Sequence, residues 1–107
     1  MALTKDFRDT IRDRAHRDPA FRRALLQEAI ELLIAGDVET GQSLVRKYIN
    51  ATVGFQELAR TIHKPAPSLM RMFGPRGNPS AKNLFSVIAH LQKREGINFT
   101  LRTVRAA

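Results

Sequence analysis

Residues that stop or bend helices recur at short intervals along this chain. Asp18-Pro19, Ala35-Gly36-Asp37, Gly54, His63-Lys64-Pro65, the run Gly74-Pro75-Arg76-Gly77-Asn78-Pro79 and Gly96 cut it into short pieces. Within most pieces apolar residues return every three or four positions, the spacing of one helix face. The chain therefore reads as all-α, with five to six helices none of which is long.

The first piece, residues 4–15, is a short charged helix with Phe7, Ile11 and Ala15 four apart. Asp18 as N-cap and Pro19 at the first helical position start the next helix. Its face is Phe21, Leu25, Ala29, Leu32 and Leu33. Gly36 stops it, and Asp37 caps a third helix whose face carries Leu44, Val45, Tyr48, Ile49 and Thr52. Residues 55–62 and 66–73 are two short helices, with Phe55, Leu58, Ala59 and Ile62 inward in one and Leu69, Met72 and Phe73 inward in the other. Ser80 or Asn78 caps a last helix to about residue 95, with Leu84, Val87, Ile88 and Leu91 on its core face. Beyond Gly96, Ile97, Phe99 and Leu101 alternate with Asn98, Thr100 and Arg102, which predicts a C-terminal β-strand over 97–104. At 107 residues the chain is expected to be one domain: N-terminal helices over 1–53, a core over 54–95, and a strand and tail over 96–107.

Charge is unevenly placed. Residues 1–53 carry nine basic and eight acidic side chains; residues 54–107 carry nine basic and only two acidic, Glu57 and Glu95. A polyanion-facing surface is expected in the second half. With no cysteine, a disulfide scaffold, a zinc finger and a thiol nucleophile are excluded. No apolar run approaches the roughly 18 residues of a membrane span, and Met1 to Arg14 lacks a signal-peptide core. A cytoplasmic protein is expected, without a membrane partner.

Two short helices across a tight turn, followed by a loop and a longer packing helix, describe a helix-turn-helix. Small Ala59 suits the close crossing, and the outer face of the second helix is left free for a DNA major groove. The stretches Val53-Gly54-Phe55-Gln56-Glu57-Leu58-Ala59, Ser68-Leu69-Met70-Arg71-Met72-Phe73 and Gly77-Asn78-Pro79 resemble the addiction-module antidote family. These are small bacterial antitoxin or transcriptional-regulator proteins with a lambda-repressor-like core. The resemblance spans roughly residues 21–95. It implies double-stranded DNA binding as a homodimer on a palindromic operator, a toxin protein as partner, and repression of the protein's own operon.

Matched position by position, the resemblance makes 66–73 the recognition helix, with Ala66, Pro67, Met70 and Arg71 outward. Arg71 is expected to contact guanine or phosphate, and Ser68 to donate to a phosphate or lie against the first helix. Gln56, at the start of the first helix, is a phosphate contact aided by the helix N-terminus. Arg76, Asn78, Lys82 and Asn83 surround the start of the next helix and are expected to clamp the backbone. The sequence departs from the family at the turn, where His63 stands in place of glycine and Lys64 follows. Pro65, Ala66 and Pro67 then offer no base-reading group, so direct readout is thin and specificity leans on Arg71, thymine methyl contacts, DNA shape and dimer spacing.

An enzyme is not expected. His16, His63 and His90 fall in unrelated elements, no nucleophile motif or carboxylate pair is present, and Gly74-Pro75-Arg76-Gly77 lacks the residues of a P-loop. The same scatter supports neither a metal nor a cofactor. RNA binding would favour exposed aromatics, whereas Tyr48, Phe55, Phe73 and Phe85 all sit on core patterns. The rival reading is a protein-interaction module, toxin-neutralising or dimerising, with weak non-specific DNA binding. An unpaired C-terminal strand would provide one dimer contact.

Overall fold

The computed structural model describes residues 5–107. It is all-helical: α1 (Lys5–Arg17), α2 (Pro19–Ile34), α3 (Val38–Ala51), α4 (Phe55–Ile62), α5 (Ala66–Met72) and α6 (Ala81–Glu95). Thr4, where the first helix was expected to begin, lies outside the described residues.

The local stop and start signals act as their chemistry requires. The Asp18 carboxylate accepts from the Phe21 amide at 3.1 Å with Pro19 following, Asp37 accepts from Thr40, and Ser80 accepts from Asn83 at 3.1 Å. Each satisfies an amide that the helix itself leaves open. Ser80, not Asn78, is therefore the cap of α6. Gly96 ends that helix in the left-handed region at φ 69°.

α2 and α3 form the most extensive helix contact, a hairpin closed by the turn at 35–37. Gly41 allows it. A Cβ there would come within 2.7 Å of the Leu33 side chain and 3.1 Å of the Ala29 carbonyl. The core joins Leu26 and Ala29 of α2 to Val45, Tyr48 and Ile49 of α3, and these to Leu58, Leu69, Phe73, Val87 and Leu91. α1 adds Ala15, fully buried. The Arg22 guanidinium donates to the Ala15 carbonyl at 2.7 Å, and Arg14 sits 4.6 Å over the Phe21 ring.

One polar cluster crosses this core. Glu95, its side chain 6% exposed, accepts from Arg22 at 3.0 Å and from the Tyr48 hydroxyl, with Arg23 at 3.9 Å. It fastens the end of α6 to α2 and α3. Burial pushes the Glu95 carboxyl up, but the Tyr48 and Arg22 hydrogen bonds and the nearby guanidinium charges outweigh it and hold it below its ordinary value. The same burial, with Glu95 beside it, pushes the Tyr48 hydroxyl well up.

Two sequence-based placements are corrected. The C-terminal strand does not form: residues 97–107 have no regular structure. The Ile97 amide donates to the Gln92 carbonyl and the Phe99 amide to the Gln92 side chain at 2.8 Å. Ile97 and Phe99 are thus folded back on α6, where no second strand lies beside them. Leu101 and Val104 are left 84% and 76% exposed. Phe85 is 62% exposed, not in the core, because Val87, Ile88 and Leu91 take the buried arc of α6. Of the α1 residues spaced four apart, Ala15 reaches the core while Phe7 is 51% exposed. No helix among the described residues is long and apolar enough to cross a membrane.

Candidate nucleic-acid interface

The α4–α5 pair is set by its backbone. Gly54, at φ 78°, turns the chain out of α3 and into α4. Phe55, Leu58 and Ala59 face inward, and the Phe55 ring packs tilted against Phe73, centroids 6.4 Å apart. α4 stops at His63, which adopts φ 57°, ψ 47°. It is the sole non-glycine with positive φ among the described residues. The amides of His63 and Lys64 both donate to the Ala59 carbonyl, closing the turn. Pro65, at φ −63°, opens α5, and Pro67 sits in the first turn, where a missing amide hydrogen costs no helix bond.

α5 buries Leu69 and Phe73 and exposes Pro67, Met70 and Arg71. Ala66, expected to point outward, is 7% exposed, because α5 packs its first turn into the fold beside α4. Ser68 is half-buried and accepts from the Arg71 guanidinium at 3.3 Å, which folds Arg71 back along its own helix.

The loop after α5 doubles back beneath the end of that helix. The Gly74 amide donates to the Arg71 carbonyl, and the Gly77 amide to the Gly74 carbonyl at 2.9 Å. A Cβ on Gly77 would lie 2.0 Å from the Met72 carbonyl oxygen and 2.4 Å from that of Arg71. Only glycine fits, and this close return brings Arg76 beside Arg71. Together with Arg46 of α3, Met70, Gly74 and Pro75 they line a groove of about 480 Å³. A second groove of about 330 Å³ shares Arg71 and Arg76 and adds Ser68 and Asn78.

The expected site residues thus divide. Ser68, Met70, Arg71, Arg76 and Asn78 share the two grooves. Gln56 is exposed in the first turn of α4, whose cap Gly54 offers it no side-chain acceptor. Lys82 is exposed and Asn83 half-buried in the first turn of α6, where the Ser80 cap holds the Asn83 amide. These three line neither groove. Arg46 was not anticipated from sequence. Its one signal is its spacing of four from Gln42, which puts both on one edge of α3; both line a further groove beside Glu39 and Gly77.

The ion pairs among the described residues are Arg14–Asp18, Arg22–Glu95, Arg23–Glu95 and Arg94–Glu57. Arg46, Arg71, Arg76 and Lys82 are in none of them. Cations without acid partners also gather in the half that is nearly neutral by count: Arg8, Arg12 and Lys47, with Asn50, line a groove of about 260 Å³ between α1 and α3.

Compared with protein-family models, curated proteins and solved structures, the chain finds no match in any of the three.

Proposed function

We propose that this protein is a sequence-specific double-stranded DNA-binding transcriptional regulator, an antitoxin-like autorepressor acting as a homodimer in the cytoplasm. In this reading α4 and α5 are the helix-turn-helix of a lambda-repressor-like core and α5 enters the major groove. The observation that carries it is the exposed face of α5 with acid-free Arg71 and Arg76 beside it, held by a turn that positive-φ His63 closes. The residue likeness to the antidote family supports the same reading and adds a toxin partner encoded nearby. Pro67 and Met70 present apolar surface to base edges, suited to thymine methyl groups. Gln56 and the open amides at the start of α4 meet a phosphate, as do Lys82 and Asn83 at α6.

The test is an anisotropy titration against duplex DNA from immediately upstream of the coding region, with a scrambled duplex of equal length. Preferential binding upstream, weakening steeply with salt, supports the reading. Equal binding to both duplexes removes sequence specificity from it.

A second role, pairing subunits or holding a toxin, is supported by apolar side chains exposed away from α5. Ile34 and Val38 flank the α2–α3 turn at 62% and 45%, and Phe85 stands out from α6. A homodimer is expected by light scattering at micromolar concentration; a monomer there removes the homodimer from the proposal.

A further inference from the structure

We infer that Arg46, Arg71 and Arg76 form one phosphate clamp that seats the DNA backbone at the C-terminal end of α5, with Arg71 gripping the backbone and not a base. This rests on the DNA-binding reading and assigns its contacts. Three arginines from three different elements, α3, α5 and the loop after it, line a single groove with Met70, Gly74 and Pro75. Like charges are brought together here with no ion-pair partner, an arrangement that an anion would relieve. Glu39 lines an adjoining groove with Arg46 but forms no ion pair with it.

Two backbone features build the site. A Cβ built on Gly74 would lie 3.9 Å from the Arg46 guanidinium, an ordinary contact distance, which puts that guanidinium against the backbone just after α5. Gly77 lets the loop return under α5 and sets Arg76 in place. Arg71 is turned back towards Ser68, and both line the second groove with Arg76 and Asn78. The two grooves share Arg71 and Arg76 and so adjoin, which gathers Arg46, Arg71, Arg76 and Asn78 along neighbouring surface. A guanidinium fork grips phosphate oxygens in pairs, and a track of several forks matches a phosphodiester chain better than one small anion. Arg46 belongs to α3 of the closely packed α2–α3 hairpin, so the anchor is built on a regular element with a buried face.

The experiment measures affinity for the upstream and scrambled duplexes as a function of salt. The variants are Arg46→Ala, Arg46→Lys and Arg71→Ala, with Arg17→Ala as a control that loses the same charge outside the grooves. A backbone contact releases about 0.9 counterion per phosphate, so each groove alanine variant is expected to flatten the log–log salt slope by about 1. It weakens both duplexes by the same factor and leaves their ratio unchanged. Arg46→Lys keeps the slope while losing affinity, because lysine supplies the charge without the fork. Arg17→Ala leaves the slope unchanged. Thermal melting of each variant separates a lost contact from a lost fold.

If Arg71→Ala collapses the upstream-to-scrambled ratio, Arg71 reads a base and its assignment is overturned. If Arg46→Ala, folded, keeps the wild-type slope, Arg46 serves only to support the end of α5. If the wild-type protein binds neither duplex, the DNA reading itself fails, and the clamp with it.

Discussion

At the end of α6, Glu95 lies almost out of water yet meets Arg22 and the Tyr48 hydroxyl. Removing one partner of such a cluster strands the others without solvent. Glu95→Gln is therefore expected to cost about 2–3 kcal/mol in urea unfolding at neutral pH. Its pH dependence has a definite sign. The folded carboxyl titrates below its ordinary value of 4.5, so the stabilisation is whole above that value and fades as pH falls through the folded pKa. His90 acts in the same direction at higher pH. Burial, then Arg94 and Lys93, lowers it from 6.5, so its neutral form belongs to the fold and acid below that value opposes folding. Stability is expected to decline in two stages on acidification, with the lower stage absent in Glu95→Gln; an unchanged lower stage would show that another carboxylate governs it. His63 offers a backbone test. At φ 57° a β-branched residue is strained, so His63→Val is expected to lose about 1–2 kcal/mol while His63→Gly keeps or raises the melting temperature. Equal melting of the two variants would mean that the left-handed turn is not retained in solution.

Among the elements, the legible features are those decided within one turn of chain. Asp18, Asp37 and Ser80 cap their helices because a side-chain oxygen three residues from an open amide suffices. The left-handed geometry at His63 follows from the break before Pro65. What sequence alone misplaces depends on neighbours. The alternation of Ile97, Phe99 and Leu101 gives strand spacing, but no partner strand lies alongside, and Gln92 takes the amides instead. Phe85 fits a helical face whose arc is wider than the surface available to bury it. Ala66 turns inward because α5 meets α4 at its first turn. The spacing of Arg46 from Gln42 marks an edge of α3 but not a site, because its partners in the groove come from α5 and the loop beyond. The tail divides accordingly. Phe99→Ala is expected to lower stability by about 1–2 kcal/mol, since Phe99 is half-buried against the core. Truncation after Thr100 is expected to leave the melting temperature unchanged, as Leu101 and the residues after it are exposed. A large loss on truncation would instead reveal a contact made by the tail. The loop has its own test: Gly77→Ala drives a methyl into the Met72 carbonyl and is expected to cost at least about 2 kcal/mol.

Across the whole molecule, charge follows the order of the chain only in part. The excess of basic residues after Gly54 anticipates the cations at the end of α5, yet α3 contributes one of its three arginines from the nearly neutral half. The arginines that do have acid partners, Arg14, Arg22, Arg23 and Arg94, tie helices together, whereas those around α5 have none. The molecule is thus divided between charge that holds the fold and charge that has no acid partner. In the proposed DNA-binding reading the second set would supply sequence-independent attraction to a polyanion, and specificity would come from the narrower face of Pro67 and Met70 and from the spacing of two subunits. The most direct measurement is the anisotropy titration of the full chain against its own upstream duplex and a scrambled duplex, at two salt concentrations. The expected result is binding to the upstream duplex at least about 100-fold tighter than to the scrambled one, with both affinities falling steeply with salt. Identical affinities for the two, or binding indifferent to salt, would contradict a sequence-specific DNA-binding regulator.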